Sequence, residues 1–145
     1  MRSPTARASQ RWASALLEGV DATLAPEDAV RAADRLRAFV LARWPECHDR
    51  ARWHHEVPIT ATLDDGPHAR QVQGVIDLLL DTHAGWVLID HKSFPVEARL
   101  GERALTIAPQ LALYRHALAL ADLRPLQSMW LHFPIAGAML ELIAT

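Results

Sequence analysis

An α/β fold, with a small mixed β-sheet flanked by helices in the order ααβββαββ, is predicted by three observations. Two stretches of helical apolar period open the chain, and three strand-like segments separated by turn residues follow. An Ala- and Leu-rich helix then precedes two short closing strands. Strands in runs, with helices set to the sides, bury their apolar faces by layering helices on a sheet.

The first helix is expected over Gln10 to Leu24, with Trp12, Ala15, Leu16 and Val20 at 3–4 spacing. Pro26, Glu27 and Asp28 mark a second helix start, because proline suits the first turn and acids favour the positive end of the helix dipole. Ala29, Ala33, Leu36 and Val40 form its apolar stripe, and Pro45 ends it near Arg43 or Trp44. Arg52 to Leu63 is β-like, and Asp64-Asp65-Gly66-Pro67 has turn chemistry. Arg70 to Asp81 alternates, with Val72, Gly74, Ile76, Leu78 and Leu80 expected on one face and Asp77 on the other. Trp86 to Lys92 completes an antiparallel meander. A loop is expected over Ser93 to Leu105, and a helix from Pro109 to about Asp122. Ser128 to Phe133 and Ala138 to Ile143 read as the closing strands.

The 145 residues suit one domain spanning 1–145. Half are hydrophobic, 22% are charged and the net charge is −2, which excludes a disordered tail and a coiled coil. The single cysteine, Cys47, excludes a disulfide framework, a four-cysteine zinc site and a cysteine-ligated iron–sulfur cluster. The first dozen residues lack the apolar block of a signal peptide, and no run reaches the ~20 apolar residues of a membrane span. A soluble, cytoplasmic domain is expected. Residues 51–100 carry four basic and seven acidic groups, so the chain has no broad basic field with which to grip nucleic acid unaided.

Fourteen of the fifteen basic residues are Arg, and the one Lys is Lys92; Asn is absent and the one Tyr is Tyr114. An ammonium is a compact point charge, whereas guanidinium is a broad planar fork, so a lone Lys among arginines marks a chemical candidate. Asp77 interrupts the apolar run Val75 to Leu80, and Asp90 ends the run Val87 to Asp90 thirteen residues later. A carboxylate inside a buried strand is costly unless it is paired or bound to a cation. Asp90 and Lys92 share a strand face, and a hairpin that sets Asp77 opposite them brings two carboxylates and one ammonium together. Hard oxygen ligands of this kind suit Mg²⁺ or Mn²⁺; the alternative is a buried Asp–Lys pair kept for structure. His54, His55, His48, His68, His83, His116 and His132 lack partners at metal-ligand spacing, and the five Trp residues have no regular spacing.

Gly74-Val-Ile-Asp77, Leu88-Ile-Asp90-His-Lys92-Ser93 and Gln110-Leu-Ala-Leu-Tyr114, in that order, resemble the RecB-like, helicase-associated branch of the PD-(D/E)XK nucleases. The resemblance covers about residues 53–120 and implies a restriction-endonuclease-like core. It implies Asp77 and Asp90 as metal-binding carboxylates, the His91 backbone carbonyl as a further ligand, and Lys92 as the residue that positions water or stabilises the phosphorane. It also implies that Gln110 and Tyr114 lie over the site and orient Lys92 or a DNA phosphate, and that Glu56, in His55-Glu-Val-Pro58, supports it. The activity implied is Mg²⁺-dependent DNA hydrolysis, as an exonuclease in repair and recombination, on single-stranded or end-containing DNA delivered by a helicase. The family also carries a metal-ligand His on its first helix in a Gly-x-x-x-His-x-x-x-Glu pattern. Gln10, Ser14 and Glu18 occupy those positions here, and the missing His favours an alternative reading as an inactive domain that binds DNA ends or a partner. A restriction-type endonuclease is a third reading, which predicts a defined cleavage pattern and a stable dimer.

Overall fold

The computed structural model describes residues 25–63, 66–92, 100–122 and 124–143. Within them the element order is α1 (Pro26–Arg43), β1 (Trp53–Leu63), β2 (Arg70–Thr82), β3 (Gly85–His91), α2 (Leu100–Ala121), β4 (Leu126–Phe133) and β5 (Ala138–Leu142). Short 3₁₀ turns lie at Pro45–His48, Arg50–Arg52 and Gly66–His68. The expected helix over Gln10 to Leu24 falls outside the described residues, as does the turn at Asp64-Asp65. The five strands form one sheet in the spatial order β1-β2-β3-β4-β5. β1, β2 and β3 are antiparallel, β3 and β4 are parallel with α2 as the crossover, and β5 returns antiparallel to β4.

α1 begins where predicted: Pro26 stands in the first turn with Glu27 and Asp28. Ala29, Ala32, Ala33, Leu36 and Val40 are buried along one side. It ends at Arg43, where the Trp44 N–H still bonds the Val40 carbonyl and Pro45 stops propagation. α2 departs from expectation. It starts at Leu100, nine residues before Pro109, so residues 100–105 are helical and the proline lies inside the helix. Proline removes one intrahelical hydrogen bond and crowds the preceding turn. Pro109 is exposed, while Leu111, Tyr114 and Leu118 are buried against the sheet, and that docking outweighs the local penalty.

Two apolar layers sandwich the sheet. On one face Leu36, Val40 and Trp44 of the α1 region pack with Leu78, Leu80, Val87, Ile89 and Trp130. On the other, Leu111, Tyr114 and Leu118 of α2 pack with Ile76, Leu79, Leu88, Leu131 and Phe133. Ile76 and Leu78, two apart on β2, therefore face opposite layers, against the expected alternation. The turnover coincides with Glu56 on the neighbouring strand, whose φ of 51° places it in the left-handed region. The β1–β2 register runs through His55↔Leu78 and Val57↔Ile76 but omits the intervening pair, Glu56 and Asp77. Both strands turn over together at this point. Trp53 accordingly packs on the α1 side and Val57 and Ile59 on the α2 side.

Candidate active site

Three devices converge where the strands turn over. The first is the end of the β2–β3 ladder. Its pairing runs from Thr82↔Gly85 to Leu78↔Ile89, and the next position along that register sets Asp77 against Asp90. The main chains part there, and Asp77 bridges the gap with its side chain: the His91 backbone N–H donates to Asp77 Oδ2 at 2.7 Å. One carboxylate oxygen of Asp77 thus takes over the role of a ladder carbonyl, and the carboxyl group also meets that of Asp90.

The second device is the Asp90–Lys92 pair. Asp90 is 3% exposed, and Lys92 Nζ lies 2.7 Å from its Oδ2. The Lys92 ammonium is the partner of this buried oxygen, which makes no further hydrogen bond among the described residues. Burial pushes the Asp90 carboxyl above its usual range; Lys92 opposes the shift and the neighbouring Asp77 carboxyl adds to it. A buried carboxylate beside a second carboxylate, with one ammonium between two negative groups, suits a hard divalent cation. Among the described residues no group of three or more His, Cys, Asp or Glu side chains converges as a metal cage. Asp77 and Asp90 are the two side chains that could hold such an ion here, and the His91 main-chain oxygen would be a further donor.

The third device joins the Gly74 and Gln110–Tyr114 motifs. Gln110 Nε2 donates to the Tyr114 hydroxyl at 2.8 Å across one turn of α2. The Tyr114 ring lies against Gly74, where a Cβ would stand 2.8 Å from Cε1 and 3.3 Å from the hydroxyl. Glycine is required there for packing, not for its dihedral freedom, and the aromatic ring fixes α2 over the strand that carries Asp77. Among the described residues neither Gln110 nor Tyr114 bonds Lys92. Because Tyr114 is 4% exposed and wedged in the core, Gly74→Ala is expected to destabilise the fold by ~1–3 kcal/mol. A denaturant midpoint unchanged from the parent would contradict this packing.

His91 and Glu56 complete the set. The His91 ring nitrogen Nδ1 lies 2.9 Å from His132 Nδ1, in register across β3 and β4. Burial lowers the His91 pKa to about 4, helped by the charges of His55 and Lys92. Burial lowers that of His132 to about 3, helped by His91. Near neutral pH both rings are uncharged, and one Nδ1–H donates to the other Nδ1. Glu56 is exposed on β1 across from Asp77, and the structure places it beside the strand kink without bringing it to the Asp90–Lys92 pair. His132 carries no sequence signal; its proximity to His91 follows from parallel pairing across a long crossover. Gln10, Ser14 and Glu18 lie outside the described residues. The Cys47 thiol is buried and pushed up to about 11, an environment opposed to thiolate chemistry.

Comparison with known proteins bears on the family to which this fold belongs. The chain is similar to one of the subunits of the ATP-dependent helicase/nuclease of Oceanobacillus iheyensis, with 28% identity over 95 residues. That stretch is 55% of this chain and 8% of the relative, so the chain spans a small fraction of that protein's length. The characteristic pattern of the PD-(D/E)XK nuclease superfamily matches residues 2–142. With a mixed five-stranded sheet flanked by helices as in a restriction-endonuclease-like core, and an acid pair and lysine on adjoining strands, the chain belongs to the PD-(D/E)XK nuclease superfamily.

Proposed function

We propose that this chain is a Mg²⁺- or Mn²⁺-dependent deoxyribonuclease domain, an exonuclease that hydrolyses DNA ends in repair and recombination beside a helicase. The observation that carries the reading is the meeting of Asp77, Asp90 and Lys92 at the diverging ends of β2 and β3. Asp77 and Asp90, with the His91 carbonyl, hold the cation. When bound, the cation lowers the pKa of water and neutralises charge on a phosphodiester. Lys92 orients the water or stabilises the equatorial oxygens of the transition state, in a position shielded enough for its charge to act strongly. Gln110 and Tyr114 hold α2 over the site, and Glu56 supports the strand kink.

The helicase association rests on the name of the relative and on charge. With 15 basic against 17 acidic residues, the chain gains from a partner that feeds DNA to the cleft. No described helix is long and apolar enough to cross a membrane; a cytoplasmic setting accords with DNA as substrate. Ser14, where the family carries a metal-ligand His, favours a second reading, an inactive domain that binds DNA ends or a partner.

End-labelled single- and double-stranded DNA incubated with Mn²⁺ separates the two. The nuclease reading predicts cleavage that is lost in Asp90→Ala and reduced by ~10²-fold or more in Lys92→Ala. Shortening from the labelled end marks exonuclease action. DNA retained uncut by all three proteins supports the inactive reading.

A further inference from the structure

We infer that His132 is a positioning residue, which with His91 locks the Asp90-His91-Lys92 tripeptide in the geometry the site requires. The inference rests on the nuclease reading of Asp77, Asp90 and Lys92. β3 needs such a lock because it ends at His91, after β2 has already parted from it at Leu78↔Ile89. Over its last residues β3 is therefore paired with β4 alone, and an unsupported strand end frays. His132 supplies two bonds at that point. Its carbonyl accepts the Lys92 N–H at 2.8 Å, and its ring meets the His91 ring at 2.9 Å. Asp77 Oδ2 accepts the His91 N–H from the other side.

The central residue of the tripeptide is thus pinned at its nitrogen and at its ring, and the residue after it at its nitrogen. Asp90 and Lys92 project together from the α2 face of β3, while the two imidazoles meet on the α1 face, as the alternation through Leu88 and Ile89 requires. His132 is an effective anchor because it is 3% exposed and flanked by Leu131 and Phe133, both fully buried. Lying on the face opposite the Asp90 carboxylate, the rings act on it through the backbone, by limiting how far it and Lys92 can swing.

An apolar pair of similar size would fill this space without directional bonding, because removing both hydrogen-bonding partners leaves no orphaned donor or acceptor. Cooperative folding therefore does not require the histidines. Asn offers an amide group near the place of the His Nδ1, so His132→Asn retains a bond to His91, whereas His132→Phe does not.

The experiment compares the parent, His132→Phe, His132→Asn and the double variant His91→Phe/His132→Phe. Backbone amide exchange is followed at His91 and Lys92, and the Mn²⁺ dependence of DNA cleavage is measured on the same proteins. The expected result is a tenfold or greater loss of amide protection at these two positions in His132→Phe, with protection of Leu88 and Ile89 retained. The Mn²⁺ concentration for half-maximal cleavage rises by ~10–100-fold while the KM for DNA stays within about twofold. His132→Asn recovers most of both losses, and the double variant folds yet keeps the loosened amides. Unchanged protection together with an unchanged Mn²⁺ requirement in His132→Phe would overturn the inference. A parent that neither cleaves DNA nor responds to Mn²⁺, with the amides of His132→Phe loosened as described, would overturn the nuclease reading and leave the lock standing.

Discussion

Asp90→Asn is expected to abolish the proposed metal-dependent cleavage and at the same time to raise the thermal midpoint of the protein. Both effects follow from the burial of one carboxylate. Desolvation raises the Asp90 pKa, Lys92 only partly offsets it, and Asp77 reinforces it. A carboxyl whose folded pKa lies above its unfolded value binds its proton more tightly in the native state. Its ionised form at neutral pH therefore costs stability, and that cost disappears as the pH falls through the folded pKa. Asn is the neutral isostere and removes the cost at every pH. Lys92, 19% exposed at its side chain, retains access to water and loses little with its partner gone. Activity moves the other way, because the same buried charge is what a divalent cation needs; a loss of at least ~10²-fold is expected. Thermal unfolding and a cleavage time course on one preparation check both halves. A lowered midpoint, with cleavage lost, would mean that the ion pair serves the fold.

Acidification from pH 7 to about 4.5 is expected to destabilise the protein by several kcal/mol, through His91 and His132. Their folded pKa values, about 4 and about 3, lie below the ordinary 6.5. Below pH 6.5 the unfolded chain takes up protons that the buried pair refuses, so stability falls as the pH drops toward the folded values. At ~1.4 kcal/mol per pH unit for each ring, the two contribute on the order of 3 kcal/mol apiece across that window. Asp90 works in the opposite sense, but it is one carboxyl against two rings. Against a total stability of ~5–15 kcal/mol this loss is large. The slope of stability against pH, taken from urea melts, checks it. Burial also lowers the His55 pKa to about 4, so the double variant His91→Phe/His132→Phe is expected to reduce that slope to the part His55 carries, and an equal slope in both proteins would place the acid sensitivity outside the pair.

The parts of this site that are legible in the sequence are those that violate local patterning. Asp77 and Asp90 stand out because they break apolar runs, and Lys92 because every other cation is an arginine. Gly74 and Tyr114 stand in the sequence only as motif letters; the structure supplies the reason, a ring lying where a Cβ would be. The α1 boundaries are readable because proline and two acids write a helix start locally. Pro109 invites the same inference and misleads, because packing of Leu111, Tyr114 and Leu118 holds a helix through it.

What stays hidden is what non-local contact decides. Glu56 carries no sequence sign of a left-handed backbone, yet its φ is 51° at the point where Ile76 on the paired strand turns to the α2 layer. The His91–His132 pair depends on the register of two parallel strands joined through α2, and no short-range pattern encodes that register.

The most direct measurement is an anomalous difference map from crystals of the parent protein soaked in Mn²⁺. One strong peak is expected between the Asp77 and Asp90 carboxylates, about 2.0–2.3 Å from an oxygen of each, and no peak there in crystals of Asp90→Asn. A map with manganese bound elsewhere and none between these two side chains would contradict a metal site there.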